Sequence, residues 1–302
     1  MHLLDRRRMT TYTGATGWLN TLPLTAEELR GRVVLVDFWT LTCINWLRTE
    51  PYVRAWSHAY RDDGLVVVGV HTPEFSFEHD LERVRQATRE REIDYPVALD
   101  NDYAVWRAFG NHYWPALYFV DRDGVVRDQH FGEGRYEQSE RVIQQLLGIE
   151  RDLVLGEGVG IEAEADWDNL RSPETYLGYT RGERPAAERL RLNQWGLAGE
   201  WTRGAENVVL DQGGGGIAFR FHARDAHLVL SRKTGEPIPF RVLLDGGAPG
   251  RSHGLDVDEQ GNGLLDSGRL YQLVRQHDTV REHTLEISFD ERGAEAYVFT
   301  FG

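Results

Sequence analysis

Hydrophobic positions change rhythm halfway along the chain. In the first half, continuous apolar runs alternate with stretches of helical spacing. VVLVDFW (33–39) and LVVVGV (65–70) are β-branched runs without alternation, which predicts strands buried on both faces of a sheet. Residues 44–60 carry helical spacing interrupted by Pro51, and 76–91 predict a charged helix capped by Ser76 or Thr72. A short strand at 96–99, a short helix near 103–109 and the strand ALYFVD (116–121) follow. Asp123–Gly124 turns the chain into VVRDQHF (125–131), a hairpin, and 136–147 close as a helix. Strands joined by helices, then a terminal hairpin and helix, predict a mixed sheet covered on both faces.

Residues 149–166 are rich in glycine and acid and lack a period, which predicts a linker. From about 167 apolar and polar positions alternate over short stretches: NVVLDQ, IAFRFHA, HLVLSR, FRVLLDG, RLYQLVRQ, HTLEISF and AYVFTFG. Glycine or aspartate turns separate most of them, as in an antiparallel β-sandwich. Gly213–Gly216 read as a flexible hairpin loop. The expected domains are therefore 1–148, a linker at 149–166, and 167–302.

Composition narrows the partners. The 302 residues, 41% hydrophobic and 27% charged, suit two globular domains. Forty-eight acidic residues against 34 basic ones give a net charge of −14, which argues against nucleic acid and anionic membrane as partners. No apolar run has membrane-spanning length, so no membrane insertion is expected. Arg6, Arg7 and Arg8 are not followed by an apolar stretch, so the first ten residues do not read as a secretory signal. The residues alone leave two readings open: a cytoplasmic protein, or a piece of a longer chain. One cysteine, Cys43, excludes an intrachain disulfide and any cysteine-based zinc or iron–sulfur cluster.

Cys43 falls between a strand end and a helix start, where unpaired N–H groups and the helix dipole favour a thiolate. A small core cysteine is compatible with the same place. The neighbours decide. Val36-Asp37-Phe38-Trp39, then Cys43, then Pro51, and later Trp114-Pro115 ahead of a strand, resemble the thioredoxin active-site region. That resemblance implies Cys43 as nucleophile, Asp37 as the buried acid behind it and Pro115 as a cis-proline facing it. Trp39, Thr42, Ile44, Asn45, Trp46 and Trp114 would complete the motif. The strings GWLN, CINWLRTEPYVRAW, HTPEF, IDYPVALDND, WRAFGNHYWPALYFVD and FGEGRYEQSERVI are similar to the TlpA/DipZ C-terminal type of thiol–disulfide oxidoreductase. YLGYTRGE, FRVLLDG, HGLDVDEQG, RLYQLVRQ and AYVFTFG resemble the β-sandwich of carbohydrate-binding-module type that follows it in that family. The implied fold is α/β plus all-β: a thioredoxin fold, then a jelly-roll-like antiparallel sandwich. The family works outside the cytoplasm, in cytochrome c biogenesis, which implies an extracytoplasmic location instead.

One departure matters most. The family motif is Cys-Ile-Asn-Cys, and here it reads Cys43-Ile44-Asn45-Trp46. A dithiol enzyme attacks with its first thiolate and releases the mixed disulfide with its second. Trp46 has no chemistry for that step, and Asp37 is expected to lose its thiol partner. Three readings of Cys43 stay open. It exchanges thiols alone on protein or small-thiol disulfides, with a small thiol such as glutathione as co-substrate. It sits in a degenerate, redox-inactive cleft that holds peptide. Or it is a peroxidatic thiol, for which Thr40, three residues before it, is the supporting feature.

Further candidates lie nearby. His71 and Glu74, in HTPEF, follow the second central strand and are expected near Cys43, with His71 a source of positive charge. Arg48 is a second such source or a solvated residue. In the sandwich, Tyr176, Tyr179, Trp195, Trp201 and Tyr271 are candidates for a glycan platform, and a protein partner is the other expectation there. Asp256 to Asn262 have a calcium-loop flavour but fail the EF-hand pattern at Ser267, so an acidic turn is preferred. No metal or organic cofactor is required by this chemistry.

Overall fold

A computed structural model describes residues 8–9, 11–25, 27–154, 156–186, 189–233 and 235–302. The expectation about the first ten residues lies almost wholly outside them. The chain divides into two compact units, Met1–Glu162 and Ala163–Gly302.

The first unit runs β1 (Gly17–Leu19), β2 (Val33–Trp39), α1 (Ile44–Tyr60), β3 (Leu65–His71), a 3-10 turn (Ser76–His79), α2 (Leu81–Glu90), β4 (Val97–Leu99), α3 (Ala104–Phe109), β5 (Ala116–Val120), β6 (Val126–Phe131) and α4 (Tyr136–Leu147). One sheet is ordered β1-β4-β3-β2-β5-β6. β2, β3 and β4 are parallel, and the β5–β6 hairpin joins β2 antiparallel. All seven residues of β2 are buried, because strands pair on both edges and side chains cover both faces. Val34, Val36 and Phe38 enter a core with Val68, Val70, Phe109 and Tyr118. Strand alternation sends Leu35, Asp37 and Trp39 to the opposite face. There Trp39 and Asp37 meet Trp46 of α1.

Three expectations change. The charged helix at 76–91 breaks at Asp80, whose carboxylate accepts from Glu82 N at 2.9 Å and caps α2. Thr72 instead donates to Asp100. β1 is only three residues, too short to show alternation, yet it pairs with β4. The first part of the expected linker packs on this unit. The buried Glu140 carboxylate accepts from Val154 N at 2.6 Å, Gln144 donates to the Arg151 carbonyl, and Glu162 pairs with Arg91 at 2.7 Å.

The second unit holds β7 (Thr175–Tyr176), β8 (Trp195–Ala198), β9 (Trp201–Arg203), β10 (Val208–Leu210), β11 (Gly215–His222), β12 (Asp225–Arg232), β13 (Ile238–Leu244), β14 (Asn262–Leu265), β15 (Arg269–Arg275), β16 (Glu282–Phe289) and β17 (Ala294–Phe301). One antiparallel sheet is ordered β15-β12-β17-β10-β9, with β7 also on β17, and the other β14-β13-β16-β11-β8. β11 alternates strictly between buried and half-buried positions, so Ile217, Phe219 and Phe221 enter a core shared with Leu228, Phe289 and Phe299. β10 and β11 belong to different sheets, so Gly213–Gly216 do not form a hairpin loop. Gly215 and Gly216 open β11, and a Cβ on Gly213 would stand 2.1 Å from the Asp290 carbonyl. β7, β8, β9 and β14, of two to four residues each, escaped the sequence pattern.

Candidate active site

Cys43 is the N-cap of α1, with extended backbone (φ −74°, ψ 109°) and a half-buried side chain. Its thiol makes no capping bond. The Sγ lies 3.7 Å from the carbonyl oxygen of Trp114, which precedes Pro115 through a cis peptide bond. β2 delivers the chain to the nucleophile and β5 starts at the residue after the proline. The thiol therefore stands at the carboxyl end of the central strand, beside backbone that leads into a strand.

Behind it lies a buried cluster. Trp46 is fully buried and stacks on Trp39, with ring centres 4.2 Å apart and planes 16° from parallel. Its indole N–H donates to Asp37 Oδ2 at 3.1 Å. Asp37 therefore does not lose its partner but exchanges a thiol for an indole. Burial pushes its carboxyl up to about 7, opposed by the indole bond. Glu50, on the same helix, is also raised to about 7 by burial, against the pull of Arg54 and Arg91. Arg91 in turn lies over the Trp46 ring at 5.7 Å. A Cβ on Gly69 would come within 2.9 Å of Trp39 Nε1, so the strand next door is bare where the indoles need room.

The other residues of the motif are placed as follows. Thr42 and Ile44 are buried on either side of Cys43. The Asn45 carbonyl accepts from Thr49 Oγ1 at 2.8 Å. Trp114 packs on Trp106, with ring centres 4.4 Å apart.

The structure corrects several expectations. His71 is fully buried edge-on against Trp39, and burial lowers its pKa to about 3, so it is neutral and supplies no positive charge. Arg48 is not solvated: it is 2% exposed and pairs with Glu133 at 3.0 Å. The Thr40 hydroxyl is engaged on both sides: it donates to Glu78 Oε2 at 2.7 Å and accepts from Glu74 N at 3.2 Å.

Sequence reasoning missed Glu78 and Glu133. Glu78 is fully buried, and its carboxyl is raised to about 7 by burial and by Glu74, opposed by bonds from Phe75, Thr40 and Thr42. It caps the 3-10 turn by accepting from Phe75 N at 3.0 Å. Phe75 carries no capping side chain, so the usual Ser/Thr-x-x-Glu signature is missing. Glu133 lies in a glycine-rich turn with nothing nearby in sequence to announce its partner.

Among the described residues the five candidate rings form no common platform. Trp195 and Tyr271 are core residues, 2% and 0% exposed. Arg181 covers the Tyr176 ring at 3.6 Å, and Trp201 is tied to the Ala198 carbonyl while its ring packs on Phe289. Of the five, only Tyr179 is strongly exposed, at 63%. Alternation on short strands sends these rings inward, which composition does not reveal. Asp256 is engaged by Arg269 and Gln272 N, and Asp258 by Gln260 and Asn262, as in an acidic turn. Among the described residues no group of three His, Cys, Asp or Glu could hold a metal ion, and no helix is long and apolar enough to cross a membrane.

Comparison with known proteins agrees with this geometry. A family model described as Redoxin matches residues 13–147, and one described as a thioredoxin-like C-terminal domain matches 172–302. Protein DipZ of Mycobacterium tuberculosis is 37% identical over 96% of this chain, which spans 42% of that protein's length. The thiol-disulfide oxidoreductase YkuV of Bacillus subtilis is 32% identical over 47% of this chain and 95% of its own. The solution structure of a thioredoxin-like protein in the oxidised form is 32% identical, covering 48% of this chain and 98% of that one with a TM-score of 0.44. With Cys43 at the head of α1 and the matched sequence running through both units, the chain belongs to the thioredoxin-like thiol–disulfide oxidoreductase family.

Proposed function

We propose that Cys43 exchanges disulfides without an intramolecular resolving thiol. The observation that carries this reading is the pairing of a half-buried Cys43 Sγ, 3.7 Å from the Trp114 carbonyl, with a fully buried Trp46 where the second thiol would stand. The Cys43 thiolate attacks one sulfur of a substrate disulfide. A new S–S bond forms, the old one breaks, and the second substrate sulfur departs as a thiolate. A small thiol such as glutathione then attacks the mixed disulfide and regenerates Cys43. Extended peptide beside Trp114 and Pro115 is the substrate class that suits the site. No metal or organic cofactor enters these steps.

The test is to incubate the protein with an oxidised peptide and with glutathione disulfide, and to read the intact mass. A covalent adduct that is absent in Cys43→Ser and released by added glutathione is the expected result. Catalytic turnover should then rise with glutathione concentration. Peptide binding without any adduct would replace this reading by that of a redox-inactive peptide-binding cleft, which the loss of the second thiol also favours.

A further inference from the structure

Five hydrogen-bond donors converge on one buried carboxylate beside the turn that leads to Cys43. Glu78 Oε1 accepts from Thr42 N at 3.0 Å and from Thr42 Oγ1 at 2.8 Å. Oε2 accepts from Thr40 Oγ1 at 2.7 Å, Glu74 N at 2.6 Å and Phe75 N at 3.0 Å. Thr40 and Thr42 belong to the turn that leaves β2 and ends at Cys43, whereas Glu74 and Phe75 belong to the turn that leaves β3. One side chain thus binds two loops at the carboxyl ends of two parallel central strands.

We propose that Glu78 is a positioning residue for Cys43: its carboxylate clasps the 40–42 turn to the 74–75 turn, and so fixes where the thiol meets a docked disulfide. The inference rests on the proposed disulfide exchange at Cys43. Thr42 is the residue immediately before the N-cap, so a shift of its backbone carries the thiol with it. Geometry specifies a carboxylate in particular. Three of the five donors are backbone N–H groups, which cannot turn round to accept, and they lie on both oxygens. A glutamine in either orientation would aim its amide N–H at one of them. That unsatisfied contact in a buried place opens one side of the clasp.

A merely structural Glu78 would affect folding and leave the reacting geometry alone, so the test must separate the two. Wild type, Glu78→Gln and Thr42→Val, each in the whole chain, are reacted with a peptide whose cysteine carries a thionitrobenzoate leaving group. The Cys43 thiolate attacks the peptide sulfur, the new disulfide forms, and thionitrobenzoate leaves as a coloured thiolate. Parallel reactions use iodoacetamide, which is too small to need docking, and melting temperature is recorded. Glu78→Gln should slow the peptide reaction by about tenfold or more while the iodoacetamide rate stays within about threefold, since small misplacements of reacting atoms are costly only in an oriented encounter. Thr42→Val, which deletes one donor of five, should slow the peptide reaction about two- to fivefold; it carries the test alone if the glutamine variant does not fold. Equal factors on both rates, or a lowered melting temperature with both rates unchanged, overturn the positioning role and leave the exchange at Cys43 standing. A wild type inert to the peptide overturns both.

Discussion

The indole nitrogen of Trp46 donates a hydrogen bond to the buried carboxylate of Asp37 across 3.1 Å. Trp46→Phe removes that donor and leaves neither Asp37 oxygen with a partner, since Oδ1 already has none among the described residues. A loss of about 1–3 kcal/mol is expected from the stranded group. The ionised form suffers most, so urea denaturation should show a larger loss at alkaline than at mildly acidic pH. Equal losses at both would show that ring packing alone matters.

Trp46→Cys places a thiol three residues after Cys43 on α1 and should install insulin-reductase activity. It also empties most of the space of an indole stacked on Trp39, at a cost of about 3–5 kcal/mol. The insulin precipitation assay, run below the lowered melting temperature, checks this. A folded but inert variant would show that the site departs from a dithiol enzyme in more than one residue.

Cys43→Ser should abolish adduct formation yet stabilise the fold. The N-cap backbone is already extended and lacks a side-chain cap. Serine is a preferred capping residue, so a gain of about 0.5–1 kcal/mol is expected, read as a higher melting temperature. No gain would mean that the hydroxyl cannot reach the first-turn N–H groups.

Asp37 and Glu50 have ordinary values of 3.8 and 4.5, and burial raises each to about 7. Between about pH 4 and pH 7 the folded chain therefore holds protons that the unfolded chain has released. In that window stability falls as pH rises, and the loss is complete above the folded values. Carboxyls with lowered values, such as Asp245 and Asp121, act in the opposite sense below that window, and His71, lowered to about 3, does so below its ordinary 6.5. Denaturation midpoints should thus be higher near pH 5 than near pH 8, and Asp37→Asn should flatten the difference. A rise in stability from pH 5 to pH 8 would contradict the burial of these acids.

The Arg48–Glu133 pair is almost solvent-free, at 2% and 6% exposure. Arg48→Met removes the cation that faces the Glu133 carboxylate in this buried pair and should cost about 3–5 kcal/mol. Adding Glu133→Leu should restore much of it, because paired apolar groups tolerate burial better than a charge deprived of its counter-ion. A double variant no better than the single would point to packing of the long arginine stem instead.

Much of this is legible in the sequence. The unbroken β-branched runs of β2 and β3 announced buried central strands, and the order Asp37, Cys43, Pro115 pointed to the candidate site. What stayed hidden has a common physical cause. Glu78, Glu133 and Glu140 are buried acids that each take a donor from 14 to 85 residues away along the chain. Linear spacing carries no trace of such partners, and charged residues in a charged stretch read as solvent-facing. Trp195 and Tyr271 went the opposite way: flat aromatic rings suggested a glycan platform, but strand alternation turned them inward.

The buried indole at position 46 also changes who controls the clock. In a dithiol enzyme the second sulfur is tethered beside the first, and its effective concentration is a constant of the molecule. Under the exchange proposed for Cys43, the lifetime of its adduct depends inversely on the thiol concentration of the surroundings. The same chain would be a fleeting carrier in a reducing milieu and a durable clamp in an oxidising one.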